Sequence, residues 1–499
     1  MSKMWSGRFR EPLDPAFESW QRSFPFDVRL LPQEVAASKA HARAIAAAGI
    51  LNEGELQKML DGLDRVIPLS IEEATKAAPQ GSGDSQVASH FAGIVALNPH
   101  AEDIHHFVEL QLTKLIGDLA LKLHTGRSRN EQIATDMRLF VRDAIDQVLE
   151  GLLAWREALV EQARAAGEAV MPSYTHLQRA EPVLIAHWLL AYVAMLERDF
   201  GRLTDCRDRL NLCPLGSGAI AGATLALDRG IASEALGFDG PTANSMDATS
   251  DRDFALEYTQ ALSTLGLHIS RFAEELTLHS TAEFGFLDLP ERFSTGSSAM
   301  PQKKNPDLTE LIRGKAGRLQ GAALTLATIV KGLPLAYNKD LQEGQEPVFD
   351  ATDAIHGMLA VLPSFTSALR FRIDAMKSAA QKGYLNAMAA ATYLSNKGVP
   401  FRKAHEIVGN AVRRGLESGR ELDDLPLQEL RSLSDQFGED FFAAITLEAT
   451  LDCHDVIGGT ARNRVKGAVE DAGRQIESDR VSLASKQSAK LGVERAALV

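Results

Sequence analysis

Cysteine is scarce: Cys206, Cys213 and Cys453 are the only three in 499 residues. They share no metal-ligand spacing and form no even framework. Disulfide staples and a cysteine-built metal site are therefore excluded, and a reducing interior is expected. Basic residues are in the minority, 53 Lys and Arg against 66 Asp and Glu, for a net charge of −13. No basic run offsets that balance, so no nucleic-acid partner is expected. A small anionic substrate is still allowed, because local Arg and Lys decide a pocket. No apolar run reaches the roughly 20 residues that span a bilayer, so no membrane partner is expected. The opening, Met1 to Arg8, lacks the apolar core of a signal peptide, and a cytoplasmic protein is the expectation. Internal repeats and low-complexity segments are missing as well.

What is present is an ordinary globular composition, 45% hydrophobic and 24% charged, with length for roughly two to four domains. Apolar residues recur mostly at helical spacing. The pattern predicts helices over 32–50, 53–66 and 102–116. A long helix is expected over 131–166 on Met137, Val141, Ala144, Val148, Leu152 and Leu159, with Gly151 tolerated inside it. Further long helices are expected from Pro182 to about 212, from Asn244 to about 280, from Asn305 to about 331, and over about 347–370. Shorter helices follow 373, and the residues after Ser478 should fray. The stretch 77–98 reads as a polar, glycine-containing connection with no assigned role. Residues 1–30 read as irregular.

The most informative stretch runs from Ser294 to Glu310. Gly296, Ser297 and Ser298 make a small, flexible, polar loop. Asn305, Pro306 and Asp307 then read as a helix start, with Asn305 as cap. Lys303 and Lys304 stand just before it, so hydroxyls, ammonium groups and a helix N-terminus converge in a way that suits an anion. On residues alone the alternative is a polar loop capped by an ordinary helix. Three other segments carry candidate chemistry. Ser128, Arg129 and Asn130 open the first long helix, and a fixed guanidinium there can hold carboxylates. His176 lies between Thr175 and Gln178, which can fix its tautomer. His105 and Glu109 share a helix face at i, i+4, but two ligands make no metal site and no third is apparent. The run Leu215 to Gly222 is glycine-rich without the Lys-Ser/Thr of a phosphate loop.

These motifs resemble a known family. Gly-Ser-Ser-x-Met-Pro-x-Lys-x-Asn-Pro, read at Gly296 to Pro306, is similar to the signature of the fumarase/aspartase superfamily of lyases. The Gln-Lys-Lys-Asn-Pro-Asp form resembles argininosuccinate lyases and their lens relatives, the delta-crystallins. Thr125 to Asn130, Thr175 to Ala180, Leu333 to Gln342 and Lys397 to His405 match the same family, as does Trp5 to Phe9 with Ser6 for a glycine. Departures are Glu131 for Asp, Gly344-Gln345 where Asp-Lys is usual, and Arg462 in place of Pro.

The resemblance implies an all-α fold in three domains, 1–126, 127–372 and 373–499, around a central bundle of five long helices. It implies cleavage of argininosuccinate to arginine and fumarate by beta-elimination, a step of arginine biosynthesis, with no metal or organic cofactor. It further implies Ser297 as base, activated by Lys303 and backbone amides. His176 would be the acid or leaving-group orienter, with Glu310 as its charge partner. From chemistry alone His176 is the more obvious base, because a serine hydroxyl is a poor one. Ser23, Asp27, Tyr337 and Gln342 would bind the arginine end. His105, Ser128, Arg129, Asn130, Thr175, Gln178, Arg252 and Asn305 would complete the substrate site. Restoring the missing lysine, Gln345→Lys, should lower the Michaelis constant. The implied assembly is a homotetramer with shared sites. Helix length points the same way: Asn130 and His176 sit at opposite ends of a helix about 45–54 Å long, too far apart for one substrate. Two other readings stay open, a sister lyase acting on adenylosuccinate, aspartate or fumarate, and a catalytically inactive crystallin-like homologue.

Overall fold

The computed structural model describes residues 10–77 and 86–488. The motif at Trp5 to Phe9, part of the 77–98 connection and the last residues lie outside the described residues. The chain is almost all helix. The N-terminal part holds α1 (Leu31–Ala47), α2 (Glu53–Ala77), α3 (Gln86–Leu97) and α4 (Ile104–Ile116). Helix α2 runs past its expected end at 66 and carries Pro68 inside. Helix α3 stands where a connection was expected. The apolar Phe91, Ile94 and Val95 join the core there, so burial overrides the polar lead-in.

Helix α5 (Arg129–Ala166) is the longest, at 38 residues. It starts where Ser128 and Glu131 form a reciprocal capping box, and stops at Gly167, whose φ of 54° ends the helical path. Every residue of its expected apolar stripe is buried. Full burial of each such side chain is worth about 1.5–3 kcal/mol. Gly151 has a packing reason: a Cβ there would stand 3.0 Å from Cβ of Leu359 on the fifth long helix.

A hairpin follows, β1 (Val170–Thr175) against β2 (Gln178–Leu184), with Pro172 paired to Pro182. The expected helix start at Pro182 is thus corrected to Ile185, at the head of α6 (Ile185–Leu210). Asn244 does cap a helix, but a short one, Ser245–Ser250; the long helix α7 (Asp253–Ser280) starts after it. Helices α8 (Asp307–Val330) and α9 (Gln345–Ser367) complete the five. Asn305 is not the cap of α8. It pairs with Thr295 in a two-residue ladder, and its amide donates to Gly296 O at 3.3 Å.

The N-terminal helices and the bundle share one apolar core. A second, separate core lies around α10 (Ala387–Asn396) and α11 (Phe401–Ser418), from Ala390 to Ile445. The terminal helix α12 (Arg462–Ser488) returns to the bundle, burying Val465, Val469, Ile476 and Leu483. Fraying after Ser478 is not found before 488. Asp479 accepts from the buried Arg156 at 2.6 Å, Arg480 pairs with Glu157 at 3.1 Å, and Lys486 pairs with Asp208. Among the described residues no helix is long and apolar enough to cross a membrane.

Candidate active site

The bundle sorts the candidate residues to its two ends. At one end stand the start of α5, the start of α7 and the segment after α8. Asp27 and Ser23 are buried there. Burial pushes the Asp27 carboxyl up to about 7, with Asp103 adding to it; Ser23, His105 and the Ile104 amide pull the other way. Its Oδ1 has no hydrogen-bond partner among the described residues. Arg252 is its mirror image. Its guanidinium is buried, donates to Asp251 O at 2.7 Å, and makes no salt bridge among the described residues. Burial lowers it to about 10, against the opposing pull of Tyr337 and Asp251. The Tyr337 hydroxyl is raised by burial, with Arg252 opposing and Asp103 and Asp27 adding to it. Gln342 is fixed by donation to Gln21 O at 3.2 Å.

Arg129 reaches Asp103 at 2.9 Å, and the Asn130 amide donates to Ala219 O at 3.2 Å. Ser128 spends its hydroxyl on the Asn130 amide. Glu131, the residue found in place of Asp, accepts from Ser128 N and Gly218 N, both at 3.0 Å. Its longer side chain ties the glycine-rich turn to the helix start. That turn is packing: a Cβ on Gly216 would stand 2.6 Å from Arg229 Cγ, and one on Gly218 would stand 2.7 Å from Gly222 O.

At the other end stand the β1–β2 hairpin, the tail of α7 and the head of α8. Thr309 on α8 meets Thr277 on α7 at 2.8 Å, and Tyr174 packs beside His279 and Phe284. His176 and Leu177 form the two-residue turn between Thr175 and Gln178, with φ of 55° and 56°. Primed hairpin turns favour Asn-Gly at these positions, because left-handed φ strains other residues. With neither residue present, the sequence carried no hairpin signal. The turn exposes His176. Ser297 Oγ accepts from the amides of Ala299 at 3.3 Å and Met300 at 3.2 Å, an arrangement that favours an oxyanion. Lys303 is exposed and makes no ion pair among the described residues. Glu310 is exposed with Arg313 at 3.9 Å, and among the described residues no ion pair joins it to His176.

The structure therefore brings Ser23, Asp27, Arg129, Asn130, Arg252, Tyr337 and Gln342 to one end, and Thr175, His176, Gln178, Ser297, Lys303, Asn305 and Glu310 to the other. Between the two ends runs α5, ~57 Å long at 1.5 Å per residue.

Sequence reasoning missed a third group. The companions of His105 are Glu34 on α1 and Asp136 on α5, and all three are buried; Glu109 is not among them. One oxygen or ring nitrogen from each lies within 4.8 Å of the others, so two carboxyl groups and an imidazole share one buried space. The sequence carried little signal, because Glu34 stands in the first turn of α1, where an acidic residue is ordinary.

The burial of Gln345 argues against one expectation. Gln345 is 4% exposed and lines a narrow cleft with Arg252, Ile133 and Met137. A lysine there would bury a second cation beside a guanidinium already weakened by burial. Gln345→Lys is expected to destabilise the fold by about 1–3 kcal/mol and to raise the Michaelis constant. Thermal unfolding with steady-state kinetics checks both; a lower Michaelis constant would restore the first expectation.

A lyase profile matches residues 7–321, and an argininosuccinate lyase C-terminal profile matches 384–452. An argininosuccinate lyase from Acidobacterium capsulatum is 66% identical, covering 94% of this chain and 93% of its own. One from Koribacter versatilis is 54% identical, covering 95% and 97%. An EDDS lyase variant solved with bound fumarate superposes with a TM-score of 0.80 at 26% identity, over 97% of this chain and 94% of its own. A class II fumarase from Schistosoma mansoni shares the fold, with a TM-score of 0.69 at 14% identity, over 84% and 90%. By a profile spanning most of its bundle and near-full-length identity to these enzymes, the chain belongs to the argininosuccinate lyase family.

Proposed function

We propose that the protein cleaves L-argininosuccinate to L-arginine and fumarate by beta-elimination, in the cytoplasm. The observation that carries this reading is a pair of buried groups at one end of the bundle: the Asp27 carboxyl, whose Oδ1 has no hydrogen-bond partner, and the Arg252 guanidinium, which makes no salt bridge, among the described residues. A ligand with a cationic guanidino end and carboxylates at the other satisfies both. Asp27, with Ser23, Tyr337 and Gln342, takes the guanidino end. Arg252, Arg129 and Asn130 take carboxylates, joined by Thr175, Gln178 and Asn305. Ser297 removes the proton beside a carboxylate, its oxyanion held by the Ala299 and Met300 amides and by Lys303. His176, paired with Glu310, serves the departing nitrogen. The division into 1–126, 127–372 and 373–499 belongs to the same reading; the separate core from Ala390 to Ile445 supports a distinct C-terminal unit, while the first two parts share one core. Fumarate absorbance on adding argininosuccinate tests the activity. Its absence would favour the structural homologue, and turnover of adenylosuccinate or aspartate instead would favour a sister lyase.

The two ends are joined in a homotetramer. On α8 the glycines Gly314, Gly317 and Gly321 share a face where an added Cβ meets nothing. Leu311 and Leu324 flank it, 61% and 70% exposed. Such a face lets another helix approach closely and cover the leucines, and symmetric packing brings opposite helix ends together. Asn130→Ala and His176→Asn are each expected to be nearly inactive alone. Unfolded together and refolded, they should recover activity, because some mixed sites receive both intact residues. No recovery, in a mixture shown to have exchanged chains, would leave each site within one chain.

A further inference from the structure

The buried group around Glu34 has an unequal distribution of hydrogen bonds. Glu34 Oε1 accepts from Ser38 Oγ at 2.8 Å and from Gln132 Nε2 at 3.1 Å. Its Oε2 lies 2.7 Å from His105 Nδ1. Arg127 donates to Ser38 Oγ at 2.9 Å and stands 4.0 Å from Glu34 Oε1. Asp136 is fully buried, and neither of its oxygens accepts from an N–H or O–H donor among the described residues. It faces Glu34 and lies 3.7 Å from His105 Nδ1.

Two carboxyls this close, away from water, do not both ionise. The donors decide which one keeps the proton. Three hydrogen bonds and a nearby guanidinium favour charge on Glu34; nothing comparable favours it on Asp136. The titration directions agree. Burial would raise Glu34, but the charge and hydrogen bond of His105, with Arg127, hold it well below the carboxylate range. Burial and the Glu34 charge push Asp136 up. Burial would lower His105, but Glu34, Asp103 and Asp27 raise it. The other charged groups around the cluster are Glu109, Arg129, His41 and His124. Burial pulls His41 down to about 3 and His124 down to about 4, so neither competes as a cation near neutrality.

We propose that Glu34 and Asp136 are positioning residues, a carboxyl pair sharing one proton, which holds His105 as an imidazolium behind Asp27. The ionised Glu34 keeps the proton on His105, and neutral Asp136 lets Glu34 stay ionised. The imidazolium in turn favours the charged form of Asp27. The inference rests on the reading of Asp27 as the holder of the substrate's guanidino end, and it assigns that end's affinity to a network two residues deeper. A substrate cation then meets an aspartate whose ionised form is favoured, although that aspartate lies out of water.

Neutron diffraction from full-length crystals exchanged into D2O tests the proton positions without reference to activity. The expected map shows a deuteron on both nitrogens of His105 and one between Asp136 and Glu34. A neutral His105, or a metal ion among the three side chains, would overturn the proposal even if the enzyme proves active. Kinetics on argininosuccinate test the consequence. Glu34→Gln should raise KM on the order of tenfold with kcat little changed, and should move the acid limb of kcat/KM to higher pH, because Asp27 then stays protonated longer. Asp136→Asn copies a neutral acid and should keep KM and the pH profile near wild type. If Asp136→Asn is as defective as Glu34→Gln, Asp136 works as a charge and the proposal fails. If Glu34→Gln does not fold, Asp136→Asn and the neutron map still decide.

Discussion

Ser297→Ala is expected to lose on the order of 10²–10⁴-fold in turnover while keeping its helical circular dichroism. The position explains why the two effects separate. Ser297 sits at the tip of the short ladder Thr295–Gly296 against Lys304–Asn305, outside every core cluster. Its hydroxyl is the acceptor for the Ala299 and Met300 amides. Both residues are exposed, so those amides turn to water when the hydroxyl is removed, and little stability is lost. What the proposed mechanism loses is the hydroxyl oxygen that these two amides approach. Activity within a few-fold of wild type would sink the assignment and make His176 the base.

Asp27→Asn should have opposite effects on binding and stability. The folded carboxyl is raised from 3.8 to about 7, first by burial, while the unfolded chain ionises at the ordinary value. Below pH 4 the group is neutral in both states and costs nothing. As pH rises from 4 to 7 the unfolded chain gains the charge more easily, so stability falls, and the loss is complete above 7. The amide has no such penalty. The unliganded variant should therefore be more stable at pH 8 by on the order of 2–4 kcal/mol per chain, with the gain vanishing towards pH 4. Its kcat/KM for argininosuccinate should fall on the order of 10²–10³-fold, because a buried cation would then face an uncharged amide. Unfolding of the ligand-free protein at pH 5 and pH 8 reads the first effect, and steady-state kinetics the second. Equal stability of variant and wild type at pH 8 would mean that Asp27 finds a cation in the free enzyme. A site that stores instability to receive a charge is a common trade of stability for function.

The sequence by itself determined the helices that bury a continuous stripe. The stripe from Met137 to Leu159 repeats at helical spacing and can be buried only one way, so α5 was legible almost to the residue. The five long helices were legible for the same reason, local pattern written in adjacent residues; the motifs at both ends were legible through their resemblance to a known family. Separation of Asn130 from His176 followed from helix length alone. Tertiary structure decided what depends on residues far apart in the chain. The His176–Leu177 turn holds two non-glycine residues at positive φ, a conformation no local preference predicts, because pairing of Val170–Thr175 with Gln178–Leu184 enforces it. Helix formation at 86–97 and order up to 488 came from apolar contacts and ion pairs with distant helices. Gln345 reads as the place of a missing lysine beside the substrate; only the fold shows that it is buried in a narrow cleft with Arg252. Glu34, His105 and Asp136 lie on three helices, 71 and 31 residues apart in sequence, and each alone is an ordinary side chain. Their chemistry exists only because the packing of α1, α4 and α5 removes water from between them, and the cost of a buried charge then depends on which neighbour supplies the hydrogen.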